Sequence, residues 1–129
     1  MKKLFFIGLL LAATLAQGQE KAASPAAPKQ KAFVIVLRLV PRLYDDKAWT
    51  ETDNATVGKH FARLKAAVDA GQVVLAGRTD EPNDKTFGLI ILTAPNETAA
   101  REFMNGDPCV TSGMMTAELH PYTIALRAK

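Results

Sequence analysis

The chain has 129 residues, 48% of them hydrophobic and 22% charged; this is the make-up of one small folded domain and excludes a fibre, a disordered tail or a bundle of membrane spans. Its formal charge of +3 becomes 14 basic against 13 acidic residues once Lys2 and Lys3 are set aside with the first segment, which leaves no basic surface for nucleic acid. A single cysteine, Cys109, excludes an internal disulfide and the multi-thiolate type of structural zinc site.

Met1 to Gly18 has a basic start, an apolar run of 13 residues from Leu4 to Ala16, and a small-residue stop at Ala16 and Gly18. This is the pattern of a cleaved signal peptide and is too short for a membrane span, which needs about 20 apolar residues. The expected mature protein is exported, to the periplasm or beyond, with no membrane attachment after cleavage. Residues 19–30 are rich in Ala, Pro, Lys and Gln, and Pro25 and Pro28 oppose regular structure, so they read as a flexible linker. The folded domain is residues 31–129.

Phe33 to Val40 is an almost unbroken aliphatic run ended by Pro41, as in a strand apolar on both faces. After a polar loop, Thr52 or Asp53 can cap a helix whose apolar residues are Val57, Phe61, Leu64 and Val68, and which Gly71 ends. Gln72 to Ala76 is a second strand, Thr79 to Lys85 a hairpin connection, and Phe87 to Thr93 a third strand. Pro95 and Asn96 open a second helix with Ala99, Ala100, Phe103 and Met104 as its apolar stripe. Asp107-Pro108 starts a single helical turn reaching Gly113. Met115 to Leu126 is a fourth strand, and its alternation changes parity at His120-Pro121, which predicts a bend or bulge.

The order β-α-β-β-α-β predicts an α+β, ferredoxin-like domain: an antiparallel four-stranded sheet with both helices on one face. The first and third strands are apolar on both faces, so the face away from the helices needs a partner. Each large aliphatic side chain left in water forfeits roughly 1.5–3 kcal/mol. The expected partner is a second copy of the chain, as a face-to-face homodimer.

Several residues can carry chemistry. His60 falls about 70° from the centre of the predicted apolar stripe, at its edge, where a histidine can line a pocket and exchange protons near neutrality. Asp107 caps the turn and, if it meets His60, fixes which ring nitrogen accepts a proton. Ser112, Arg78, Trp49 and His120 are candidate substrate-binding residues: Ser112 by a hydrogen bond, and Arg78, with Arg42 beside it in kind, by pairing with an anion. Trp49 with Tyr44 is a candidate aromatic lid, and His120 a candidate second pocket base. Arg78 has the alternative of surface ion pairs with Asp80, Glu81 or Asp84, and Cys109 reads as a small buried thiol. His60, Asp107, Cys109 and His120 show no metal-ligand spacing, and no nucleotide, phosphate-loop or flavin motif is present, so neither metal nor organic cofactor is expected.

His60-Phe61-Ala62-Arg63-Leu64, Gly71 with Ala76-Gly77, and Asp107-Pro108 with Gly113 resemble the YCII-related (YciI-like) family over Lys31 to Arg127. The resemblance implies a dimeric α+β barrel and a polar pair formed by the helix histidine and the aspartate of the Asp-Pro turn, here His60 and Asp107. A dehydrochlorinase of hydroxylated chloroaromatics looks like a member of that family, and muconolactone isomerases and small monooxygenases are among related barrels. Cys109 departs from the family, where an aromatic is common, and so does the longer segment Pro41 to Thr52. The function expected is His/Asp-assisted proton transfer, an isomerisation or elimination, on a small molecule such as a hydroxylated aromatic. The alternative is an exported binding module that holds a small ligand without catalysis.

Overall fold

The computed structural model describes residues 29–129. The expected signal peptide and nearly all of the expected linker lie outside the described residues. Four strands, β1 (Lys31–Leu39), β2 (Val73–Arg78), β3 (Gly88–Ala94) and β4 (Met115–Tyr122), alternate with helices α1 (Glu51–Asp69), α2 (Glu97–Asn105) and the short α3 (Pro108–Thr111). The sheet order is β2-β3-β1-β4 and every pairing is antiparallel, which is the expected ferredoxin-like arrangement. Among the described residues no helix is long and apolar enough to cross a membrane.

The register decides what each face of the sheet does. Ile35 sits opposite Ile90 on one side and Leu119 on the other. That parity, with Phe33, Leu37, Leu92 and Ala94, is buried beneath Leu64 and Ala67 of α1 and Ala100 and Met104 of α2. The other parity places Val34 and Val36 of β1 beside Ile91 and Leu89 of β3, all only half-buried, with Leu75 and Tyr122 exposed beyond them. A second, smaller core of Leu43, Cys109 and Met114 sits under Leu39, Val40, Trp49 and Val57.

Three local expectations are corrected. Thr50, rather than Thr52 or Asp53, caps α1: it accepts from the Asp53 amide at 3.1 Å, while the Asp53 carboxylate accepts from the Thr50 amide at 2.9 Å. Asp53 is therefore the reciprocal member of a capping box. Of the expected stripe, Val57 and Leu64 face inward together with Asp53, His60 and Ala67, whereas Phe61 is 70% and Val68 43% exposed. Finally, β4 has no bulge at His120-Pro121, since pairing with β1 runs unbroken to Tyr122 and the chain then leaves the sheet. Pro121, which has no amide hydrogen, is accommodated because β4 is an edge strand. The register shift of the sheet lies instead in β2, between Val73 and Leu75.

Candidate active site

The site is built at the end of the sheet where β1 and β2 finish and β3 and β4 begin. Its first component is the start of α1. Arg42 clamps the Asp53 carboxylate with two bonds, Nη1 to Oδ2 at 2.9 Å and Nη2 to Oδ1 at 3.0 Å. This guanidinium, together with the amide and hydroxyl of Thr50, holds the Asp53 carboxyl far below the usual range. The helix is thus fixed at its origin, and two turns later the same face presents His60.

The second component is the junction of α2 and α3. Asp107 caps α3 by accepting from the Cys109 amide at 2.8 Å. It is also 2% exposed and receives the Nδ1–H of His60, at 2.7 Å to Oδ2 and 2.9 Å to Oδ1. Burial alone would raise the Asp107 carboxyl. The His60 hydrogen bond and charge, the Cys109 amide and the nearby positive charge of Arg63 outweigh burial and hold it below its ordinary value. An ionised Asp107 keeps the proton of a neutral His60 on Nδ1, so Nε2 is the nitrogen left as acceptor.

Arg63 was not singled out from the sequence, although it stands three residues after His60 and so shares its side of the helix. Its Nη2 donates to the Phe103 carbonyl at 2.8 Å and its guanidinium lies 4.2 Å from the centroid of the Phe103 ring. Nη1 is buried and has no hydrogen-bond partner among the described residues. Gly106 allows this approach, because a Cβ there would stand 3.1 Å from Arg63 Nη2 and 3.2 Å from the Glu102 carbonyl oxygen.

A cavity of about 570 Å³ opens between α1 and the sheet, with His60 in its wall. Leu37, Ile90 and Met115 form its floor on the sheet, Phe61 and Val68 its helical side, and Trp49 and Phe87 add aromatic surface. The Trp49 indole N–H is held by the Leu43 carbonyl at 3.0 Å, and the Phe87 ring is fixed under the Arg38 guanidinium at 5.3 Å. The two expected aromatic and cationic contributors, Trp49 and Arg78, both line this cavity. Ser112 and His120 do not. The Ser112 hydroxyl turns back to the Cys109 carbonyl at the end of α3, and His120 is exposed on the edge strand with Glu118 3.5 Å away.

A ring nitrogen of His60, an Asp107 oxygen and the Cys109 sulfur lie within 4.8 Å of one another, a nearness that their spacing in the chain does not announce. These atoms are already committed. Nδ1 and the carboxylate hold each other, and burial, aided by the Asp107 charge, pushes the Cys109 thiol up to about 11, so it keeps its proton at neutral pH. The cluster is organised around a shared proton, and a metal ion would have to displace it.

Comparison with known proteins bears on this geometry in two ways. The pattern of the YCII-related domain matches residues 34–119, which include both His60 and Asp107. The structure is similar to that of 5-chloro-2-hydroxyhydroquinone dehydrochlorinase from Burkholderia phenoliruptrix AC1100, solved in complex with 2,5-dihydroxybenzoquinone. The TM-score is 0.54 at 17% identity, covering 71% of this chain and 93% of that one, a likeness of fold. No curated protein matches the chain significantly.

Proposed function

The chain belongs to the YCII-related family, and from that premise we propose that it is a small-molecule enzyme in which His60 and Asp107 transfer a proton on a hydroxylated aromatic or similar substrate. The observation that carries the reading is the 2.7 Å contact between a buried carboxylate and the Nδ1 of a histidine that lines a cavity of ligand size. Neutral His60 accepts a proton from substrate carbon or hydroxyl at Nε2, and Asp107 stabilises the imidazolium that results. The electron pair left on the substrate then either takes the proton back at a different atom, an isomerisation, or expels a leaving group such as chloride, an elimination. Neither course consumes an oxidant or reductant.

The test uses two readouts: chloride release from chlorinated hydroxyhydroquinones, and uptake of solvent deuterium into unchlorinated hydroxylated aromatics. His60→Gln is expected to lower both by about 10²-fold or more, the usual contribution of a positioned base. Equal rates in wild type and variant, or no turnover of either kind across the panel, overturn the proposal.

Two further parts of the reading concern the whole protein. It acts as a homodimer through the open sheet face, supported by the half-buried row of Val34, Val36, Leu89 and Ile91. It is exported, supported by the pattern of Met1 to Gly18, and the mature form begins near Gln19. Mass spectrometry of the exported form that finds Met1 still attached sinks the second claim.

A further inference from the structure

The charged groups around the cavity are all of one sign. Among the described residues its lining includes Lys65 and Arg78 and no carboxylate, so the polar chemistry these residues offer besides His60 and the Thr86 hydroxyl is cationic. Lys65 is engaged with Asp69 at 2.8 Å, one turn along the same helix. Arg78 forms no ion pair among the described residues. The acidic residues that follow it, Asp80, Glu81 and Asp84, would be natural surface partners, yet among the described residues none of them forms an ion pair with it, nor does any other carboxylate. It stands at the end of β2, opposite Gly88 of β3, where the lack of a side chain on Gly88 leaves the strand surface beside it low. The remaining wall is apolar and holds three aromatic side chains, Trp49, Phe61 and Phe87.

We infer that the cavity takes an aromatic ring bearing an anionic oxygen group, a carboxylate or an ionised phenol, with Arg78 seating that group and the aromatic walls covering the ring. This rests on the catalytic reading only for the place of His60, and it is a statement about binding that stands without turnover. A guanidinium at an apolar rim offers two parallel N–H donors to a carboxylate, or one or two to a phenolate, and its partner is not competed away by an internal acid. The same charge opposes cationic ligands. It would also favour any negative charge that develops on ring oxygens when a proton is removed.

The experiment is a fluorescence titration of Trp49, the single tryptophan of the chain, with benzoate, 2,5-dihydroxybenzoquinone, benzamide and benzylamine. Both acidic probes are expected to bind about five- to tenfold more tightly than benzamide, with benzylamine weakest. Arg78→Gln is expected to abolish the difference between benzoate and benzamide, and Arg78→Lys to restore part of it. The order of the probes is read without turnover, which separates failure of this inference from failure of the catalytic reading. Equal affinity for benzoate and benzamide, an unaltered preference in Arg78→Gln, or no saturable binding of either acidic probe below about 10 mM overturns it.

Discussion

Asp107 has a structural duty, capping α3, that masks the chemical one proposed for it. Asp107 caps α3 whether or not it meets a histidine, so removal of its side chain has two separable costs. In Asp107→Ala the cap is lost, about 1 kcal/mol, and the His60 N–H is left without its buried partner, about a further 1–3 kcal/mol; urea unfolding measures the sum. Asp107→Asn can still cap but no longer offers a carboxylate, so nitrogen-15 spectra of neutral His60 should show Nδ1–H dominant in wild type and a mixture of tautomers in the variant. Unchanged ring spectra would remove Asp107 from the mechanism. Arg63 belongs to the same argument through charge. Because the Asp107 carboxyl is held below its ordinary value, the unfolded chain binds its proton first as pH falls, so the stabilisation is complete above about pH 5 and disappears as pH drops through the lowered value. Arg63→Met withdraws one of the groups that lower it, so the acid loss of stability should be smaller and should be complete at a higher pH. Arg63→Lys should retain most of the wild-type limb, and a limb equally displaced in both variants would mean that packing on Phe103, and not charge, is what Arg63 supplies.

At the scale of elements, the order of strands and helices was legible because each segment carries its own signals: the Pro41 stop, the Asn96 cap, Gly71 and Gly113 at positive φ, and the Asp107-Pro108 start. What hydrophobic periodicity misread was the direction of α1. Apolar residues that wall a cavity and those that fill a core look alike in sequence, and here Phe61 and Val68 do the first while Leu64 and Ala67 do the second. Two further inward positions are polar, Asp53 and His60; Thr50 satisfies Asp53 locally through the capping box, while Arg42 and Asp107 satisfy them from parts of the chain that no helical pattern reveals. The distinction is measurable. Leu64→Ala should cost about 2–4 kcal/mol of stability, whereas Phe61→Ala should change stability by no more than about 0.5 kcal/mol while weakening ligand binding. A large loss of stability in Phe61→Ala would return that residue to the core.

For the molecule as a whole, the two-sided apolar character of β1 and β3 was readable, but which parity faces the helices was not, because both parities are aliphatic. The structure separates them, Ile35 inward at 1% exposure and Val36 outward and half-buried. Lysine at position 35 should therefore unfold the domain, since an unpaired charge would enter the core. Val36→Lys should leave the subunit folded and dissociate the proposed dimer, as read by sedimentation velocity with circular dichroism as the control for folding. A Val36→Lys protein that sediments as the wild type would place the interface elsewhere. The proton-sharing pair has a consequence in time as well as in space. His60 leaves the ribosome 47 residues ahead of the aspartate that makes it a directed base, and the β2–β3 hairpin and the whole of α2 must be made between them. A nascent chain holds an ordinary histidine, and the pair forms only when the second half of the fold closes on the first, so the chemistry proposed for it is silent for as long as the chain is incomplete.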